Sequence, residues 1–342
     1  MTNPIGSGLG ATIGFASESG YANYAAPTHF LTFNKESLKL KKNIVQSKAL
    51  HGGLYDLASR RAYVTRTVDG AIDLDLYDRG LGLVYQAMLG NVAQAPTSNA
   101  DGTYDAVFTG GSLNGESLTV QVGRPEVGGT IVPFSFLGCK VSDWQLEVQS
   151  GQQGSLSLTV DGANENVVET YVAPSYVASD MLHFGEAALL IGGTVTTTGG
   201  IATVTGNTSL AVVKSCHVKG TNAMDTSRFF LGASGQKSEP IANAFRVLSG
   251  QMDVEFENLT DVYNAFSGDT PVSLLLTFTG PAIGTGVNRS KVEVLIPCVY
   301  FEDGDPTVDG PQILHTQVNF TGLDDGTDPP IQITTTSLDA AL

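Results

Sequence analysis

The chain has 342 residues, 42% of them hydrophobic, and a formal net charge of −16. That length admits two ordinary domains or one large one, and the apolar content implies a packed core and not wholesale disorder. The acidity argues against a tight nucleic-acid binder, because phosphate backbones select the opposite sign.

Forty glycines, with abundant Ser, Thr and Val, favour short strands joined by turns, so the expected class is mostly β with a few short helices. Residues 1–28, rich in Gly, Ala and Ser, read as an arm. "HFLTFNKESLKLKKN" (29–43) reads as a strand or two, and 44–60 as a long loop. In "RAYVTRTVDGAIDLDLYD" (61–78), Ile72, Leu74 and Leu76 alternate with Asp73 and Asp75, which puts the apolar set on one face of a strand and the acids on the other. A helix follows, with Leu81, Val84, Tyr85 and Met88 on one face, Asp78 as candidate N-cap and Gly90 as stop. Strands are then expected at 117–125, 132–148 and 154–162, the last two joined by a hairpin turn at 150–154.

The second half repeats this order. Met252, Val254 and Phe256 alternate with Asp253, Glu255 and Glu257. Asn258 is a cap candidate, and Leu259, Val262, Tyr263 and Phe266 make a helix face that ends at Gly268. The strand aligns with its first-half counterpart at an offset of 180 and the helix at 178, and Arg66 matches Arg246. "VSLLLTFTGP" (272–281), "VLIPCVYFEDG" (294–304) and "ILHTQVNFTGLDDG" (313–326) echo the three later strands. The ordered series indicates an internal duplication with its boundary near 163–185. The competing reading is one large β-sandwich with accidental similarity.

No chemistry-bearing constellation emerges. "GSGLGATIG" (6–14) lacks the preceding strand of a dinucleotide loop. "EDGDPTVDG" (302–310) and "LDDGTDPP" (323–330) read as turns, not as calcium loops. The five histidines are scattered, and Cys216 and His217 point to opposite faces of a strand. Three cysteines without a CxxC pair make no disulfide framework and read as buried reduced thiols. No signal peptide or membrane span is legible, which points to synthesis in a cytoplasm. No catalytic residue, metal site or cofactor is therefore expected. One charge asymmetry stands out. Residues 39–66 hold seven bases (Lys39, Lys41, Lys42, Lys48, Arg60, Arg61 and Arg66) and one acid, Asp56, so this segment carries +6 and the remainder −22. It reads as a solvated loop or as one that docks on an acidic copy of the same protein.

Taken together, "GYANYAAPTHFLTFNKESLKLKK" (20–42), "VDGAIDLDLYDRGLGLVYQAMLG" (68–90), "LTVQVGRPEVGGTIVPFSFLGCKVSDWQLEVQSGQQGSLSLTVDG" (118–162) and "GQMDVEFENLTDVYNAFSG" (250–268) resemble the major tail tube protein of long-tailed bacteriophages. The resemblance implies β-sandwich-like or barrel-like tube domains, each with one flanking helix and a long loop, that form six-domain rings stacked into a tube. With two tandem domains it implies a trimer giving a pseudo-hexameric ring. The expected division is an arm (1–28), a first tube-like domain (29–172) and a second (173–342). The implied partners are further copies, the tape measure, terminator and tip proteins of the tail, and double-stranded DNA in transit. No membrane is implied, and the implied location is the virion. By position, 43–66 matches the family's long loop, which makes Lys41, Lys42, Lys48, Arg60, Arg61 and Arg66 candidate ring-stacking residues. Its counterpart at 220–240 is shorter and near neutral. Asp73, Asp75, Asp253 and Glu255 are expected to face either the lumen, where they would repel DNA phosphates, or an exterior. The alternative functions are a surface or secreted adhesin or carbohydrate-binding β-sandwich, which would need exposed aromatics, and a hydrolase on a β scaffold, disfavoured by the lack of a nucleophile–base set.

Overall fold

Period-two alternation becomes strand through most of the computed structural model, which describes residues 7–255, 262–285, 288–306, 308, 310–311 and 313–342. The first half contains β1 (Thr12–Ser17), β2 (His29–Leu31), β3 (Lys35–Glu36), β4 (Lys39–Gln46), β5 (Arg61–Asp75), α1 (Gly82–Leu89), β6 (Gly90–Ser98), β7 (Tyr104–Gly110), β8 (Leu118–Pro125), β9 (Ile131–Gln149), β10 (Ser155–Gly162) and β11 (Asn164–Asn166). The second contains β12 (Ala187–Ile191), β13 (Thr194–Thr198), β14 (Ile201–Thr205), β15 (Thr208–Ser209), β16 (Val213–Thr221), β17 (Met224–Asp225), β18 (Ile241–Ala242), β19 (Val247–Glu255), α2 (Tyr263–Ser267), β20 (Val272–Ala282), β21 (Arg289–Phe301), β22 (His315–Gly322) and β23 (Gln332–Ser337). The protein is mostly β with two short helices.

Several expectations need correction. The stretch read as an arm holds β1, whose Ile13 and Phe15 are buried and which pairs with β2 and β8. The loop read at 44–60 is shorter, since β4 runs to Gln46. Asp78 does not cap α1. The N-cap residue is Leu81, with no side-chain bond. Asp78 is instead buried and accepts the Asp180 N–H at 2.8 Å. Gly90 does end the helix, in the left-handed region at φ 92°, where a Cβ would be strained and would also meet the Gly111 carbonyl oxygen at 2.7 Å. In the second half, Phe256, Glu257, Asn258 and Leu259 lie outside the described residues. Tyr263 and Phe266 are helical, and Gly268 follows the last turn.

In the first half the hydrogen-bonded order is β4–β5–β10–β9–β8–β1. In the second it is β16–β19–β22–β21–β20–β12. All of these pairs are antiparallel. The long strands β9 and β21 each turn from one layer into the other. The first part of β9 pairs with β8 and β11, and its last part with β10. Likewise β21 pairs with β20 and β23, then with β22. Phe15, Leu118 and Val120 from the outer strands meet Ile72, Leu158 and Val160 from the inner ones, and Val84 and Ala87 of α1 pack between them. This is why the apolar face of β5 is buried. Ile72, Leu74 and Leu76 are essentially inaccessible to solvent, and each such side chain contributes roughly 1.5–3 kcal/mol relative to exposure.

The two inner layers are joined into one sheet. The free edge of β9 pairs with β16 from Gln149–Ser215 to Asp143–Thr221. Trp144, Leu146 and Val148 on one strand and Cys216 and Val218 on the other are all buried along this seam. Gly220 sits opposite Trp144, and an added Cβ would lie 2.4 Å from the indole ring. Gly220→Val should therefore overpack the seam by about 2 kcal/mol. Because Trp144 is the sole tryptophan, the expected outcome is a red-shifted native emission together with a lower denaturation midpoint. Unchanged emission would contradict the packing.

Candidate functional site

The joined inner sheet has one buried face and one open face, and the open face carries the acids. Its register can be followed across strands. One row reads Asp75, Ser155, Glu147, His217, Gln251, Asn319, and the next reads Asp73, Ser157, Gln145, Lys219, Ser249, Thr321. The intervening row, Leu74, Leu156, Leu146, Val218, Gly250, Phe320, is buried. The four acids singled out in the sequence, on β5 and β19, thus share one face although three other strands separate theirs. Sequence reasoning missed others on the same face, among them Asp69 of β5 and Asp143 and Glu147 of β9. The alternation Asp143, Gln145, Glu147 against Trp144, Leu146, Val148 was the available signal.

Neighbours hold these carboxylates in place. Ser157 donates to Asp73 at 2.8 Å and Asn34 to Asp75 at 2.7 Å. Thr221 donates to Asp143 at 2.7 Å across the seam, and Gln145 donates to Glu147 at 3.0 Å. Asp253 lies 3.4 Å from His315 Nδ1, and Glu255 pairs with Lys214 at 2.8 Å. The Glu255 carboxylate raises Lys214 above the ordinary lysine range. The rest of the face carries hydroxyls and amides together with His217, Lys219 and, opposite Asp73, Lys35. Among the described residues no cluster of three His, Cys, Asp or Glu side chains is arranged to hold a metal ion. The only tryptophan is buried, so it offers no stacking platform of the kind a sugar-binding surface uses.

The six candidate basic residues are placed as a projecting hairpin. Beyond the Val68–Leu40 pair, β4 and β5 continue to Gln46 and Arg61 with most side chains exposed. Lys41, Lys42, Arg61 and Arg66 stand on these strands, and Lys48 and Arg60 in the connecting loop. Lys41 is paired with Asp69 and Lys48 with Asp56, both in solvent, where such pairs are worth little. Arg60 donates to the Ala49 carbonyl at 2.7 Å, so part of the basic surplus is satisfied within the hairpin. Its tip is apolar, which the charge count did not reveal. Leu50 and Leu54 are 99% and 98% exposed and Tyr55 is 86% exposed.

The segment read as its counterpart, 220–240, and the residues that continue it to Arg246 behave oppositely, because they fold back onto the first half. Asn222 donates to the Met88 and Val141 carbonyls, and Arg246 donates to those of Leu89 and Gly111. Lys140 pairs with Glu239 and Lys237 with Asp161, each lysine side chain only 1% exposed. Burial pushes the Lys140 ammonium below its ordinary range, and the Glu239 carboxylate opposes that shift. Burial likewise pushes Asp161 up, against the pull of Lys237.

Comparison with known families decides what this architecture serves. The family model described as phage tail tube protein matches residues 8–322. The chain belongs to the phage tail tube protein family. No curated protein matches it. Membership makes this a structural, non-enzymatic component of the phage tail and implies self-assembly into the tube and a place in the virion.

The buried pairs of this tail tube protein yield a stability prediction. Glu239→Ala leaves the Lys140 ammonium with only the Leu113 and Pro240 carbonyls, at 2.6 and 3.2 Å. Stranding a buried charge costs about 3 kcal/mol. Chemical denaturation should show that loss, and Glu239→Gln should recover part of it.

Proposed function

We propose that three chains close a ring of six similar units, that rings stack into a tube, and that the open face of the inner sheet lines the channel through which double-stranded DNA leaves. In this reading the chain comprises two tandem tube-like domains, 29–172 and 173–342, with β1 belonging to the first. The observation that carries it is the inner sheet, in which the same strand order occurs in both halves, joined through β9 and β16, with carboxylates of β5, β9 and β19 on the open face. A sheet continued around a ring leaves no exposed edge. On this wall of fixed carboxylates, hydroxyls and amides the few lysines, Lys35, Lys214 and Lys219, stand among acids, which lowers their pull on phosphates. Its repulsion reaches about 8 Å at physiological salt, so DNA is kept off the wall without being bound. An adhesin or carbohydrate-binding module is not favoured by any feature of this face.

Reversing Asp73, Asp75, Asp253 and Glu255 to Lys should leave tubes that assemble and yet release DNA several-fold more slowly, as followed by dye-reported ejection. Ejection at the wild-type rate would remove the acidic wall from the mechanism.

The projecting hairpin is assigned to contacts between stacked rings, its bases steering the approach and its apolar tip supplying buried area. Substituting Leu50, Leu54 and Tyr55 together by Ser touches only exposed side chains and should change subunit stability by less than about 0.5 kcal/mol. Negative-stain microscopy is expected to show rings that fail to elongate. Tubes of normal length from this variant would sink the assignment.

A further inference from the structure

The seam inside the chain is a template for the seam between chains. We propose that β4 of one copy pairs with the segment 302–306 that follows β21 of the next, with Lys39 opposite Asp305 and Lys41 opposite Asp303. This rests on the ring reading above and names the surfaces that close the ring.

The register follows from the two halves. Lys219 stands opposite Ser249 as Lys39 stands opposite Asp69, so β16 corresponds to β4 at an offset of 180. Asp161 stands opposite Lys140 as Thr321 stands opposite Tyr300, so β9 corresponds to the end of β21 at an offset of 160. The correspondence continues past β21. The Glu302 N–H donates to the Asn319 carbonyl at 2.8 Å, and the Asn319 amide donates to Asp303 at 2.6 Å. Carried through these offsets, the internal pair Thr221–Asp143 becomes Lys41–Asp303, and Lys219–Gln145 becomes Lys39–Asp305.

Three features fit a second copy as the occupant. First, both edges are free. β4 pairs only with β5, and among the described residues the backbone of 302–306 bonds only to β22, through the Glu302 N–H. Second, both edges already have the alternation of a paired strand: Lys39 and Lys41 are exposed around the half-buried Leu40, and Asp303 and Asp305 are exposed around the buried Gly304. Third, the charges are complementary. Lys39 makes no ion pair among the described residues, Lys41 meets only the exposed Asp69, and the facing edge carries Glu302, Asp303 and Asp305. Opposite charges facing across an antiparallel pair favour that register, and like charges oppose it.

A charge swap tests this. Lys39→Glu with Lys41→Glu, and separately Asp303→Lys with Asp305→Lys, should each abolish rings at a concentration where the wild type forms them, as read by light scattering after size exclusion. The fourfold variant should restore them. Rings from both twofold variants would overturn the seam while leaving the ring reading standing, and a wild type that never assembles would end the ring reading itself. Should the fourfold variant stay monomeric, Lys41→Cys combined with Asp303→Cys decides. Cys139, Cys216 and Cys298 are buried, and burial pushes the Cys216 thiol up to about 12. New disulfides should therefore come from the seam alone. Bands of two and three chains on non-reducing gels support the proposal, and their absence overturns it.

Discussion

The inner sheet depends on one strand pairing, β9 with β16, while β7 with β23 joins the halves a second time. Each inner layer taken alone would end in an unpaired row of backbone donors and acceptors at that edge, and such a row recruits other chains. Joining the two layers satisfies the row, buries Trp144, Leu146, Val148, Cys216 and Val218 beneath it, and sets the register of the inner strands across the seam. A slip by one residue would turn Trp144 and Leu146 to solvent and bring Asp143 and Gln145 inside. The open face inherits its chemistry from this constraint. Asp73 and Lys219 share a row because hydrogen bonds link them through Ser157 and Gln145.

The legible part of the sequence was the part governed by period two. Ile72, Leu74 and Leu76 against Asp73 and Asp75 predicted both the core face and the acidic face of β5, and the same pattern predicted β19. Three of the echoed strands, β20, β21 and β22, also lie where the repeat put them. Pieces defined by distant contacts were less legible. β1 looks like an arm because its Gly and Ala residues say nothing about the β8 strand, more than a hundred residues away, on which it packs. Asp78 looks like a cap because its local context is that of a cap, yet its partner is Asp180, brought near by tertiary folding. β16 has clear alternation around Cys216 and Val218, but nothing local says that it completes the neighbouring half.

Charge counting was informative in sign and incomplete in meaning. The basic segment is a projecting hairpin, but Lys41 and Lys48 are paired within it or at its root, and its most exposed side chains are apolar. Conversely, the near-neutral 222–246 segment hides one lysine and one carboxylate, Lys237 and Glu239, each in a buried pair with a first-half residue, Asp161 and Lys140. The segment is thus a clamp between the halves, not an inert loop.

The different fates of these two segments bear on symmetry. In the proposed ring, the inner sheet is nearly sixfold, because β4 and β16 occupy corresponding edges and meet corresponding strands. The projections are only threefold, because the segment after β4 reaches into solvent while the segment after β16 is held down by Lys140–Glu239 and Lys237–Asp161. A single-unit subunit repeated six times could not separate these roles, since every copy would carry the same loop. With two units in one chain, one copy of the loop can be kept for contacts between rings while the other becomes internal structure, and the acidic face of the sheet is common to both.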